Sequence, residues 1–291
     1  MFLSVLIGGL VLGCTYGILA LGYSLIYQAS GYMNFTQPNL LMLGSFVGLS
    51  LFGNAGMPYV LALFAAVIIM AGVGMLMERG VIRVMINKNS KNIYIVLATI
   101  ALATIIENAA MLIWDTRQHA FPNVFGTAGT VQIGSASVTY ESLLAIALSV
   151  VAMVAVHFFL NKTKFGTGMR AAAQSKLAAR VMGINVGLTV SVTYGIAAGL
   201  ACLGGILVAP ALTVSMNLGN QLGMKGFASA VVGGYGHIYG AIVGGILLGL
   251  LETFVAYYVS SVLKDFIVYA VMMVMIVMKP TGLFNAKVYA T

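Results

Sequence analysis

Charge is scarce in this chain, and acid is scarcest: six Asp and Glu stand against fourteen Lys and Arg, and only 7% of the 291 residues are charged. Soluble domains carry roughly a quarter charged residues, so an ordinary water-soluble fold is excluded. Cysteine is nearly absent. Cys14 and Cys202 both fall in apolar runs, a pattern that supports neither a disulfide framework nor a metal site. Enzyme signatures are missing as well: there is no H-E-x-x-H, no G-x-S-x-G, no Cys/His cluster and no pair of carboxylates on one helix face. No G-x-x-x-x-G-K-[ST] occurs, so any ATP that drives this chain must be bound by another polypeptide. The net charge of +8 does not indicate a nucleic-acid partner, because the cations are not gathered on a soluble face with interleaved aromatics.

What the chain has is hydrophobic length. Hydrophobic residues make up 61% of it, and a helix needs about 20 of them to cross a ~30 Å hydrocarbon core. The runs 3–27, 38–53, 58–77, 93–113, 142–160, 189–209, 240–260 and 265–279 read as crossings, the second and the last being short. The alternation of a transmembrane barrel strand is absent. The expected fold is therefore all-α: one transmembrane unit over 1–291, a helix bundle of about eight spans. The first run has no cationic n-region and exceeds a normal signal-peptide core, so it reads as a retained first helix.

Cations set the expected orientation. Arg79, Arg83, Lys88 and Lys91 follow the third run, and Lys162, Lys164, Arg170, Lys176 and Arg180 follow the fifth, which places both loops in the cytosol. The N-terminus and the loop 114–141 then lie outside; that loop is Gly, Ser and Thr rich, and its alternating VQIGSASVTY stretch predicts a small hairpin. If Lys279 and Lys287 are also cytosolic, the chain must cross once more between Pro210 and Gly240, where no full run exists. A broken or re-entrant half-helix at 226–236 is expected there, inside the bundle, because irregular backbone is tolerated at membrane depth only where protein or water satisfies it.

The 35 glycines are spaced for helix contact. Gly9, Gly13 and Gly17, Gly195 and Gly199, Gly240 and Gly244, and Gly245 and Gly249 all show the one-turn interval that lets helix backbones approach closely in lipid.

Two stretches interrupt the apolar pattern with polar, backbone-distorting residues. In GYMNFTQPN, Asn34, Thr36, Gln37 and Asn39 offer neutral donors and acceptors, and Pro38 is suited to open a helix whose N-terminus presents free N–H groups; a plain cytosolic turn fits equally well. In GGYGHIYG, Tyr235 and His237 sit among four glycines as a cavity-lining break, with a purely structural histidine as the plainer alternative. Two acids lie deep in runs, Glu107 and Glu252, and no Lys or Arg lies at comparable depth in any run. Intramembrane ionisable groups are functional candidates with a partner to be named, and these two are expected to be protonated, hydrogen-bonded to hydroxyls or amides, or set at a subunit interface. Their sparsity argues against a proton-coupled carrier.

From Arg170 to Gly183 the sequence RAAAQSKLAARVMG favours a helix lying across the cytosolic face, within a basic loop spanning 161–188. Such a helix either grips anionic lipid or presses into a groove on an ATPase subunit.

Four segments in register, GGLVLGCTYGILALGYSLIYQASGYMNFTQ, RAAAQSKLAARVMGIN, GMKGFASAVVGGYGHIYGAIVGGILLG and MKPTGLF, resemble the branched-chain amino-acid ABC permeases of the LivH type. The resemblance covers most of the chain and is weakest in 114–141. It implies one permease subunit of a bacterial importer in the inner membrane. A LivM-like second permease, two ATP-binding subunits holding ATP and Mg, and a periplasmic solute-binding protein would complete it, and this chain itself would bind no cofactor. It also implies that Arg170, Ala171, Ala173, Gly183, Ile184 and Asn185, with Lys176 and Arg180 between them, contact the ATPase, and that Asn34 and Phe35 lie near the translocation path. Family members commonly carry Gly then Glu where this chain has Pro38 and Asn39. That difference leaves the cargo open among leucine, isoleucine and valine, short amides, urea and aromatic acids. A passive facilitator for a small neutral solute and a purely structural membrane subunit remain as readings of another class; neither needs the basic loop.

Overall fold

The computed structural model describes residues 2–88, 90–124, 129–133 and 136–284. Lys287 and parts of the 114–141 loop, the hairpin turn at 134–135 included, lie outside the described residues.

Apolar runs become helices because a helix satisfies all of its own backbone groups where lipid offers none. The helices are α1 (Phe2–Ser30), α2 (Gln37–Leu49), α3 (Tyr59–Met77), α4 (Arg83–Asn87), α5 (Asn92–Trp114), α6 (Tyr140–Lys162), α7 (Lys164–Gln174), α8 (Lys176–Val181), α9 (Val186–Leu212), α10 (Leu218–Gly233), α11 (Ile238–Tyr258) and α12 (Lys264–Met278). A π-helical turn, Ser50–Asn54, extends α2, and another, Glu78–Ile82, joins α3 to α4 as one 29-residue rod. Among the described residues, six helical stretches are long and apolar enough to cross a membrane alone: α1, α3 with α4, α5, α6, α9 and α11. The short ones, α2, α10 and α12, are packed against these.

The expected hairpin is present. Strands β1 (Thr130–Ile133) and β2 (Ala136–Thr139) pair antiparallel, Val131 facing Val138. His119, in the same loop, exchanges both backbone hydrogen bonds with Val214, at 2.8 Å each, so this loop shares a face with the end of α9. The opposite face carries α7 and α8.

Helices α1 and α9 form the centre, and α1 packs most extensively on α11. The contact is a glycine seam. A Cβ added at Gly13 would sit 2.9 Å from the Ile246 Cα, and Gly245 and Gly249 lie directly on the backbones of Gly17 and Gly13. Gly195 and Gly199 play the same part against α3, and Gly240 and Gly244 against α10. Around this centre Leu19, Leu41, Phe46, Met70, Cys202 and Ile206 close an apolar core.

Two expectations are corrected. The half-helix at 226–236 begins eight residues earlier, at Leu218, and stops at Gly233, where Gly234 takes a φ of 113°. At 1.5 Å per residue its 16 residues reach about 24 Å, short of the ~30 Å core, and the segment 213–217 before it carries the Val214 bridge to His119 and turns at 216–217. The single helix expected over 170–183 is two, because Ser175 breaks to an extended conformation (φ −157°) and its hydroxyl caps α8 by accepting from Ala178 N. The stop at Gly183 is as expected, in the left-handed region at φ 78°.

Candidate functional site

Polar residues converge in two places inside the bundle. The first is the break between α1 and α2. Chain reversal begins at Gly31, φ 84°, and residues 31–36 run back into the bundle, so that α2 opens at depth. Asn34, Thr36, Gln37 and Asn39 are all at most 5% exposed. Asn34 Oδ1 accepts from the Thr36 backbone N–H (3.1 Å) and hydroxyl (2.6 Å), the Phe35 N–H donates to Thr99 Oγ1 (3.2 Å), Gln37 Nε2 donates to the Ala197 carbonyl (2.9 Å), and Asn39 Nδ2 donates to the Ala103 carbonyl. Pro38 is the second residue of α2.

Two atoms at this break, Asn34 Nδ2 and Gln37 Oε1, and the hydroxyl of Tyr235 in the turn between α10 and α11 are buried with no hydrogen-bond partner among the described residues. A buried donor or acceptor left unpaired costs about 1–3 kcal/mol, which makes such atoms candidates for a ligand contact. Aromatic rings connect Phe35 of this break to Tyr235 of the turn between α10 and α11. Phe227 lies 5.6 Å from Tyr23 and from Tyr235 and 5.7 Å from Phe35, and Tyr27 is 4.8 Å from Tyr235. His237 is placed differently: its Nδ1 accepts from Gly240 N (2.9 Å) as the cap of α11, and its ring stacks on Phe284.

The second assembly was half legible. Glu252 on α11 is 3% exposed, and its partner is Lys225 of α10, Nζ to Oε1 2.6 Å. Tyr16 of α1 donates to the other carboxylate oxygen (2.8 Å), and Lys225 also reaches Asp265 of α12 (2.7 Å). Lys264 lies 3.9 Å from Glu252. The absence of deep cations is thereby corrected: Lys225 lies outside every full-length run but inside the bundle, on the helix that hydropathy alone shows least well. Its signal was the G-M-K-G-F segment itself, a cation within a glycine-rich half-helix.

Glu107 is half-exposed on α5 and makes no ion pair among the described residues, while Asn108 Nδ2 bonds its own helix at Thr104 O (2.8 Å). A part-buried pair that the sequence did not suggest joins the buried Glu78 to Arg83 in bidentate fashion (2.8 and 3.1 Å), with Arg83 also donating to Gly187 O and Ser191 on α9.

On the basic face, Arg170 donates to Asn161 Oδ1 (3.0 Å), Asn185 caps α9 through Leu188 N (3.0 Å), and Ala171, Ala173 and Ile184 are half-buried beneath. Lys176 donates to the Ser30 carbonyl (2.8 Å), the last residue of α1 before the break, and lies over the Tyr32 ring. Burial lowers the pKa of its ammonium from the usual lysine range, and the neighbouring Arg180 charge adds to this. Arg180, Leu177, Val181 and Met182 project into open space.

Residues 5–276 match the family model described as the permease component of branched-chain amino acid transport systems. The chain is 30% identical over 296 residues to the high-affinity branched-chain amino acid transport system permease protein LivH of Escherichia coli K12, covering 98% of this chain and 96% of that one. It is 28% identical over 298 residues to the corresponding permease protein BraD of Pseudomonas aeruginosa, at the same coverage. Among solved structures, PsaBC from Streptococcus pneumoniae, in complex with Fab, is similar with a TM-score of 0.50 at 13% identity over 94% of this chain and 91% of that chain, a likeness of fold. With its all-helical membrane bundle and nearly full-length match, the chain belongs to the family of branched-chain amino acid transport permease components.

Proposed function

We propose that this chain is one permease subunit of an ATP-driven importer for branched-chain amino acids in the bacterial inner membrane. A LivM-like permease stands beside it, two subunits that bind and hydrolyse ATP with Mg lie below, and a periplasmic solute-binding protein delivers the cargo. The chain performs no covalent chemistry. Its part is alternating access, in which ATPase closure shifts the population between inward-open and outward-open arrangements.

One contact carries this reading: Lys176 of α8 holds the Ser30 carbonyl at the doorstep of the buried Asn34–Asn39 break. Displacing α8 from below would pull directly on the segment that carries the incompletely bonded amides of Asn34 and Gln37. Asn34, Phe35, Thr36, Gln37, Pro38, Asn39 and Tyr235 are assigned to the path, and His237 supports it by fixing the start of α11. Arg170, Ala171, Ala173, Lys176, Arg180, Gly183, Ile184 and Asn185 form the ATPase-facing surface. Glu107, half-exposed on α5, faces the neighbouring permease or lipid.

The test is leucine uptake into proteoliposomes holding the full complex and its binding protein. Uptake should require ATP and fall at least about tenfold in Asn34→Ala with Gln37→Ala, the loss of two polar contacts to a desolvated solute. Leucine uptake that persists without ATP would transfer the assignment to a passive facilitator. ATP-driven uptake of an amide or urea alone would keep the machine and change the cargo.

A further inference from the structure

The Lys225–Glu252 assembly is the floor of a cavity of about 360 Å³ between α1, α10, α11 and α12, and the path described above does not use it. It lies on the side away from the basic loop, between Leu12 of α1 and Leu212 at the end of α9. A clamp holding α10 to α11 needs only Lys225, Glu252 and the Tyr16 hydroxyl. The site holds more than a clamp. Lys264 and Asp265 stand at the mouth, with side chains 39% and 55% exposed. Lys264 is 3.9 Å from Glu252, beyond hydrogen-bond reach, and so contributes a second cation that the floor does not require. Exposed amides of Asn220 and Gln221 line the same opening, and Leu12, Leu222 and Leu212 form an apolar wall.

We infer that this cavity binds the zwitterionic head of an aliphatic amino acid, an entry site distinct from the central break. The inference rests on the importer reading and supplies it with a recognition site. Two cations and two carboxylates balance to zero, so a solute of either single sign would leave a net charge in a low-dielectric cavity, which is costly. A zwitterion leaves the balance unchanged. Its ammonium takes the outer carboxylate oxygen of Asp265, whose Oδ1 stays on Lys225 at 2.7 Å, and its carboxylate takes the partly exposed Lys264, while the buried Lys225–Glu252 pair stays fixed as a dipole beneath. The aliphatic side chain then lies on the leucine wall. A neutral amide or urea makes hydrogen bonds with only one charged partner in each, weaker than the two ion pairs of a zwitterion, so the site sorts by charge pattern before the central break sorts by hydrogen bonding.

Occupancy can be read with a reporter cysteine. Asn217→Cys sits at the cavity mouth, and both native cysteines, Cys14 and Cys202, are buried away from a membrane-impermeant maleimide. In the full complex reconstituted in lipid, L-leucine at ten times its dissociation constant should slow labelling about tenfold, by simple mass action. Isoamylamine and 4-methylpentanoate, which carry one charge each, should give no protection. Lys264→Met and Asp265→Asn should each raise the leucine concentration for half-protection by about tenfold, the loss of one charge-assisted hydrogen bond, and Lys264→Arg should restore it. Gln37→Ala should depress uptake and leave protection unchanged. Leucine uptake with no protection by any amino acid overturns the site and leaves the importer reading intact. Protection by a different zwitterionic amino acid, in a complex that takes up no leucine, keeps the site and changes the cargo. Equal protection by the amine, the acid and leucine overturns the proposal, since charge pairing would then not be what is recognised.

Discussion

Lys225 and Glu252 show how one residue's surroundings decide its meaning. Both are buried, 2.6 Å apart, and each has one further partner, Asp265 for Lys225 and the Tyr16 hydroxyl for Glu252. Removing one partner of such a pair commonly costs about 3–5 kcal/mol, whereas removing both leaves no unpaired charge at the floor. Lys225→Met should therefore lower the thermal stability of the solubilised protein more than Lys225→Met with Glu252→Gln does; equal losses would mean that the pair is not coupled. Glu252 stood out in the sequence as an acid within an apolar run. Lys225 did not, because its helix is too short and too rich in Gly, with Asn220 and Gln221 in its first turn, to register as hydrophobic.

Among the helices, the small-residue intervals on α1 and α11 were readable, and the structure supplies what they face: each other. Gly13→Leu would drive a side chain into the backbone of α11, a case of overpacking that costs about 1–3 kcal/mol and more where the backbone cannot yield. Gly72 on α3, around which an added Cβ meets no atom within 4 Å, makes the control, and Gly72→Leu should change stability by less than about 0.5 kcal/mol. Limited proteolysis of the two variants in membranes checks the contrast. The bend at Ser175 was less legible. Its flanks, RAAAQ and KLAARV, both favour helix, and only the serine's local hydrogen bond to Ala178 N decides that α8 starts afresh.

For the whole molecule, the question is how the basic face reaches the interior. Two routes are in place. Lys176 links α8 to the end of α1, and Arg170 links α7 to Asn161 of α6, beside which His157 and the Tyr239 hydroxyl meet at 2.7 Å and so join α11. Beside the exposed Arg180, the outward side of α8 is apolar: Leu177 and Val181, with Met182 just past its end, are 74–81% exposed, the pattern of a helix awaiting a groove. Leu177→Asp with Val181→Asp should abolish co-purification of the ATPase subunits while leaving the chain inserted, because neither side chain supports the fold. An ATPase that still co-purifies would move the docking surface elsewhere.

Composition and hydrophobic run length by themselves determined a helical membrane bundle, its long apolar helices, its basic face and the positions of its polar breaks. These follow from a local rule: in lipid each segment must satisfy its own backbone and match the thickness of the core. Only the tertiary structure decided that α2 opens inside the bundle with Asn34 and Gln37 incompletely bonded, that α10 extends to Leu218, and that Lys225, Glu252, Lys264 and Asp265 share one cavity. Those facts depend on contacts between residues far apart in the chain, such as Tyr16 with Glu252 across 236 positions, and helix periodicity carries no information about which distant helix will lie alongside.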